Sequence, residues 1–299
     1  MILIRIFDMI IIRITITLEF IVISSYHNFI DVKSKNFNDS IIKDRPVISV
    51  TYRDLPHGGV EVVAKQGIKT TDWLEIDAEY VISTIPLGVL QKGDVKFNPP
   101  FSKEKLDAIK GFKMANYEII YVQFPENFWG QKEVLFSINT DRPPSESIMT
   151  WGLNLDNNKY FPGSKMLAFH SMGPTARRIA KQDKEKTKKE IDVIMKKMFG
   201  DNAREASDIL VTDWTFQPYT YGSWAAMPEK YKKSDWSLVR QNEGRLYFAG
   251  EHTSYNQGYV HSAYESGIKA AKDILEKIQN KDDAKNSTNV RQYCPGNMY

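Results

Sequence analysis

The chain has 299 residues, 42% of them hydrophobic, with six Trp, fifteen Tyr and fifteen Phe, which is bulk enough for a large core and excludes an intrinsically disordered chain. Forty basic residues stand against 37 acidic ones, so a net charge of +3 selects neither nucleic acid nor a membrane surface as partner. Cys294 is the only cysteine, which excludes an intrachain disulfide and a cysteine metal cluster and favours a reducing, cytoplasmic setting.

The first 30 residues are apolar, but Arg5, Asp8, Arg13 and Glu19 interrupt them, whereas a membrane helix needs ~20 predominantly apolar residues. They also lack the uninterrupted apolar region and small-residue cleavage site of a secretory signal. Ile14, Ile16 and Leu18 alternate with Thr15 and Thr17, a strand pattern, yet residues 1–44 as a whole stay unassigned. From residue 45 the chain reads as mixed α and β. "PVISVTY" (46–52) and "VEVVAK" (60–65) predict strands joined as a hairpin through "HGG" (57–59), and "EYVISTI" (79–85) predicts a third strand halted by Pro86. "SKEKLDAIKGF" predicts a short helix capped by Ser102, with Gly111 beyond its end, and "YEIIYVQF" (117–124) a long strand. Ile191, Ile194, Met195 and Met198 fall at helical spacing within 183–199, with Gly200 closing the helix and the run Lys184 to Lys189 on its solvated face. After Ile278 the periodicity is lost, and 281–299 reads as a flexible tail.

The stretch "YFAGEHTSYNQGYVHSAYESGIKAA" (247–271) is the most informative. Gly244 and Gly250 bracket a short strand, Gly250 permits a sharp turn, and Glu251 lies at the strand's carboxyl end. Val260, Ala263, Gly267, Ala271, Ile274 and Ile278 then form a stripe of mostly small side chains that lets a helix lie close to a sheet. The helix start near Tyr259 leaves backbone N–H groups unpaired at the positive end of the dipole, a site for an anion or a carbonyl. His27, His57, His170, His252 and His261 show no H-x-x-x-H or H-E-x-x-H spacing, and no G-x-S-x-G elbow marks a serine hydrolase. "NDS" at Asn38 and "NST" at Asn286 are glycosylation-type triplets that matter only in a secreted chain.

This run resembles the C-terminal flavin-contacting motif of the FAD-dependent amine oxidases, polyamine oxidases most closely. "YVISTIPLGVLQ" (80–91), "VQFPENFWG" (122–130), "KKEIDVIMKKMFG" (188–200) and "TDWTFQPYTYGSWAAMP" (212–228) resemble successive segments of that family, in family order, over residues 45–280. The resemblance implies an α/β (α+β mixed) fold. Residues 45–100 and 229–280 would form an FAD-binding domain and 101–228 a sheet-and-helix substrate domain. It implies FAD as cofactor and an amine as substrate, a polyamine such as spermine or spermidine foremost, oxidised to an imine while O2 becomes H2O2. The helix start at Tyr259 and Val260 would face the isoalloxazine after the Gly250 turn, Glu251 would bond the ribityl or pyrophosphate region, and Val47 would line the adenosine side. Tyr117, Trp224 and Tyr259 map onto the family's aromatic cage, whose flat rings bind an alkyl chain and tolerate a cation. Taken singly, an aromatic in a strand is more often core than cage.

Two departures accompany the resemblance. The family's usual active-site lysine position is Ile119 here, and Lys113, six residues along, would lie ~20 Å away on an extended strand. The sequence also contains no G-x-G-x-x-G run for a pyrophosphate, so the FAD-binding domain is expected to be partial, without its N-terminal dinucleotide-binding βαβ unit. The expected chain is the C-terminal part of a longer oxidase with exposed apolar sheet edges. The alternative is a catalytically silent version of the fold acting at most as a binding protein.

Overall fold

The computed structural model describes residues 2–6, 9–13, 41–53, 58–67, 72–136, 151–230 and 233–291. In chain order the strands are β1 (Ile2–Ile6), β2 (Met9–Arg13), β3 (Ile41–Ile42), β4 (Val47–Thr51), β5 (Val60–Lys65), β6 (Trp73–Ala78), β7 (Tyr80–Thr84) and β8 (Lys96–Asn98). They continue with β9 (Lys113–Met114), β10 (Tyr117–Gln123), β11 (Val134–Phe136), β12 (Trp151–Asn154), β13 (Met166–Met172), β14 (Asp208–Val211), β15 (Ala225–Ala226) and β16 (Leu246–Phe248). The helices are α1 (Leu87–Lys92), α2 (Lys103–Gly111), α3 (Gly173–Lys181), α4 (Lys184–Phe199), α5 (Lys233–Arg240) and α6 (Val260–Arg291).

A five-stranded sheet of order β16-β7-β2-β1-β3 carries the turn of interest at its edge. Its β7 is parallel to both neighbours, pairing Tyr247 of β16 with Ile82 and Met9 of β2 with Tyr80. A strand covered on both faces reads as a near-continuous apolar run, which is why "YVIS" is buried throughout. Its residues part by the strand period: Tyr80 and Ile82 pack with Tyr247 and Ala249 beneath Ala270 and Ile274 of α6. Val81 instead joins Leu246, Phe248, Phe101, Ile109 and Val239 in the main core. The N-terminal segment left unassigned by its sequence therefore contributes three strands, β1, β2 and β3, to this sheet. The alternation at 14–18 lies outside the described residues, as do His27, Asn38, His57 and Cys294.

Strands β6-β5-β4-β8 form a second sheet, in which β4 and β5 make the expected antiparallel pair, though part of the connecting turn falls outside the described residues. The third sheet, β11-β12-β13-β10-β14, is covered on one face by α3 and α4, whose Ile179, Ile191 and Met195 pack on Ile120, Val122, Leu167 and Phe169. Ser102 caps α2 by accepting from the Lys105 N–H at 3.2 Å, and Gly111 ends that helix from inside. Asp183 caps α4 through the N–H groups of Glu185 and Lys186.

Two expectations about α6 change. The helix continues to Arg291, into the segment set aside as a tail. The predicted stripe also holds only in the later turns, where Ala271, Ile274 and Ile278 pack with Ala270 on the sheet. In the first turns Ser262 is buried instead, whereas Val260, Ala263 and Gly267 are half exposed. The cause is polar: Ser266 Oγ accepts from the Gly250 N–H at 2.8 Å and donates to the Ala263 carbonyl at 2.7 Å, so serines and not apolar residues meet the turn.

Lys105 of α2 is 2% exposed, with its ammonium on the Gln241 carbonyl, 4.0 Å over the Phe248 ring and 3.5 Å from Glu243. Burial pushes its pKa down to about 8, against the attraction of Glu243. The unfolded chain holds this proton up to ~10.4, so between the two values it binds more protons than the folded chain and stability rises with pH, by at most about 3 kcal/mol. Urea unfolding of the parent against Lys105→Met between pH 8 and 10 is expected to show that rise in the parent only. Equal slopes would mean that the ammonium is solvated.

Candidate functional site

Gly250 takes φ +128°, and a Cβ there would lie 2.7 Å from the imidazole of His252, so only glycine makes this turn without displacing a buried ring. A single 3₁₀ turn, Glu251–Thr253, follows. His252 is 2% exposed, and burial pushes its pKa down to about 4, which makes it a neutral wall of the turn. Glu251 points inward: one carboxylate oxygen accepts from the Ala225 N–H at 2.9 Å and the other from the Gly258 N–H at 2.8 Å. Burial raises its pKa, against the lowering effect of those two bonds. Val260 opens α6, where the Ala263 N–H reaches the Tyr259 carbonyl at 3.2 Å as the first closing bond. The first N–H groups of a helix have no partner within it. Ser262 Oγ beside them is buried and has no hydrogen-bond partner.

Tyr117 from β10 and Trp224 from the loop after β14 meet with ring centroids 5.1 Å apart and planes at 55°. On its other side Trp224 packs on Gly258, where a Cβ would lie 3.1 Å from indole Cδ1. The structure thus brings two of the three predicted cage residues together beside the turn. Tyr259 follows Gly258 in the chain, but its ring is 60% exposed and lies 5.2 Å from His261. Val47 is a core residue at the start of β4, paired with Ala64.

The loop carrying Trp224 is fixed at both ends. Glu118, on the opposite face of β10 from Tyr117, accepts from the Thr212 hydroxyl at 2.7 Å and from the N–H groups of Trp214 and Thr215 at 3.2 and 3.0 Å. Ser223 donates its N–H to Ala115 and its hydroxyl to the Tyr117 carbonyl at 2.8 Å, and Glu251 holds Ala225. Between these points Tyr219 and Tyr221 adopt φ +87° and +51°, conformations a side chain tolerates only where the surroundings enforce them.

Ile119 is 5% exposed and sits with Leu155 and Ala168, flanked by Tyr117 and Tyr121, in a small apolar cluster. Lys113 is exposed on β9. Replacing Ile119 with lysine is expected to cost about 3 kcal/mol by urea unfolding, because the ammonium would enter that cluster without a partner. An unchanged midpoint would show that the cluster opens to water there. The sequence reading did not find Glu118, Trp151 or His170, which complete this region; an acid inside "YEII" and a histidine inside "LAFHSM" are its available signals. Among the described residues no group of three or more His, Cys, Asp or Glu side chains is placed to hold a metal ion, and no helix is long and apolar enough to cross a membrane.

The family model of flavin containing amine oxidoreductases matches residues 36–275. Polyamine oxidase 1 of Zea mays is 33% identical over 257 residues, 84% of this chain and 49% of that protein. Polyamine oxidase 6 of Oryza sativa subsp. japonica is 33% identical over 255 residues, 83% of this chain and 48% of that protein. Lysine-specific histone demethylase 1B of Mus musculus is 27% identical over 218 residues, 69% of this chain and 25% of that protein. Among solved structures, cyclohexylamine oxidase from Brevibacterium oxydans IH-35A shares the fold with a TM-score of 0.59 at 19% identity, covering 78% of this chain and 48% of that one. The chain spans about half the length of the polyamine oxidases it matches.

Proposed function

Because the chain belongs to the flavin-containing amine oxidoreductase family, we propose that it serves the FAD-dependent oxidation of an alkylamine, a polyamine such as spermine or spermidine foremost. The observation that carries this reading is the Tyr117–Trp224 pair set against the glycine turn ahead of α6. The residues present fit a flavin ring at this end of the molecule: a helix start with open N–H groups, and the buried Ser262 Oγ still lacking a partner. In this reading the backbone of Tyr259 and Val260 would hold the ring edge, Gly250 and Glu251 would shape the turn against it, and Val47 would line the adenosine side. The pyrophosphate has no G-x-G-x-x-G cradle within this sequence. When bound, FAD accepts the electrons of the amine C–N unit and passes them to O2, giving H2O2.

The chain's own residues act on the amine. Two tilted rings accept an alkyl chain between apolar faces and attract its ammonium. The same apolar surroundings favour release of the proton that an ammonium holds up to ~10.4 in water, leaving the neutral amine that can be oxidised. Residues 45–100 and 229–280 would serve the cofactor and 101–228 the substrate. Buried Ile119 favours a second reading, in which the chain binds but does not turn over its ligand.

A visible spectrum of the purified chain with added FAD, followed by peroxide release on spermidine, spermine and cyclohexylamine, separates these readings. Flavin bands with peroxide from the polyamines support the first. Flavin bands without peroxide support the second, and a colourless folded protein rules out both as flavin readings. Preference for cyclohexylamine would keep the amine oxidase and remove the polyamine.

A further inference from the structure

His170 on β13 lies directly across from Ile119 of β10, so the two side chains share one face of the sheet. Its ring lies flat on Trp151 of β12, with centroids 3.7 Å apart and planes within 8°. Its Nδ1 hydrogen-bonds the Tyr117 hydroxyl, and Tyr117 in turn meets Trp224. Four rings therefore run in contact from the sheet to the glycine turn. Burial holds the imidazole pKa at about 4, so the ring is neutral at neutral pH, and its Nε2 is buried without a hydrogen-bond partner.

We propose that His170 is a positioning residue for amine binding: through the Tyr117 hydroxyl it holds the Tyr117 ring at one tilt against Trp224, and so sets the width of the slot for an alkyl chain. This rests on the amine-binding reading of that ring pair. A tyrosine on a strand has two soft torsions, and a bond at its para oxygen removes that freedom only if the partner is itself fixed. Stacking on Trp151 and pairing within the sheet fix His170 on both counts. A phenylalanine at 117 with an aliphatic residue at 170 would fill the same space without desolvating two polar groups and stranding a third. A slot ordered in advance loses less freedom when it closes on a ligand, which makes this arrangement legible as binding architecture.

The test uses the full chain, with 1,8-diaminooctane as the probe in calorimetric titrations and the Tyr117 hydroxyl proton followed by NMR. The parent is expected to show a slowly exchanging hydroxyl proton. His170→Phe, which keeps the stacking plane, should lose that signal and bind the diamine about tenfold more weakly, the scale of one buried hydrogen bond. His170→Asn places an amide atom near Nδ1 but gives up the stack on Trp151, so it should recover the signal in part, with binding between that of the parent and that of His170→Phe despite a lower urea midpoint than His170→Phe. The inference is overturned if His170→Phe binds the diamine as the parent does. It is equally overturned if both variants lose binding and stability alike, which is a structural role only. A parent with the protected hydroxyl that binds no diamine overturns the amine reading, and this inference with it.

Discussion

Replacing Gly88 with alanine is expected to destabilise the fold by about 4 kcal/mol, beyond the ordinary range for a surface or helix substitution. Gly88 is a buried residue of α1, and a Cβ there would lie 2.1 Å from the Thr220 carbonyl oxygen, 2.9 Å from that of Tyr221 and 3.0 Å from Tyr221 Cβ. Two of those three atoms are backbone, which cannot swing aside as the far end of a side chain does. The loop they belong to has little slack, since Thr220 Oγ1 and the Gly222 N–H both donate to the Trp214 carbonyl, at 2.9 and 2.8 Å. Gly222 is itself pressed against Met114, where a Cβ would lie 2.5 Å away. The gain in helix propensity from glycine to alanine, ~1 kcal/mol, does not offset a clash of this kind. Gly267 of α6 is the control: a Cβ there meets nothing within 4 Å, so Gly267→Ala should raise stability by up to ~1 kcal/mol. Urea midpoints of the two variants should move in opposite directions. Movement of both in the same direction would show that α1 does not abut the loop. Because Trp224 closes that loop, Gly88→Ala should also shift indole fluorescence.

The same contacts show what the sequence makes legible. Strands β4, β5, β7 and β10 and helices α2 and α4 follow from periodicity and caps because their burial is set locally: "VEVVAK" alternates and "IDVIMKKM" repeats at helical spacing. The facing side of α6 followed in its later turns and not in its first ones. Small apolar residues and serines are both compatible with close packing, and the choice fell to the bond between Ser266 and the Gly250 N–H, made across the turn. Pairing of β2 with β7 is invisible for a related reason, since nothing local in "MIIIR" names its neighbour. In the candidate site, the meeting of Tyr117 with Trp224 was expected from family resemblance, whereas His170 and Glu118 were not. Their roles depend on which residue stands opposite in the next strand and on a loop far along the chain.

Glu251→Ala is expected to cost about 3 kcal/mol before any ligand is added. The carboxylate bonds two segments at the place where Trp224 packs on Gly258, taking the N–H of Ala225 beside Trp224 and the N–H of Gly258 ahead of α6. Removing it strands the buried Ala225 N–H, worth ~1–3 kcal/mol without an acceptor, and gives up the bond to the exposed Gly258 N–H, which water can replace, at ~1 kcal/mol. Glu251→Gln separates acceptor from charge: the amide retains one oxygen but turns an NH2 toward the other donor, so it should lose about half as much. The carboxyl pKa is raised chiefly by burial, which means the folded state favours the protonated form and this group's contribution weakens as pH rises through the folded pKa. The parent should therefore lose relative to Glu251→Gln on going from acid toward neutral pH, a difference that urea unfolding reads directly. Limited proteolysis gives the geometry of the loss: cleavage should appear within 251–259 and within 212–224 together in the alanine variant, because one side chain holds both. Cleavage confined to one of the two segments would show that they are fixed independently, and that Glu251 is free to turn toward a ligand instead.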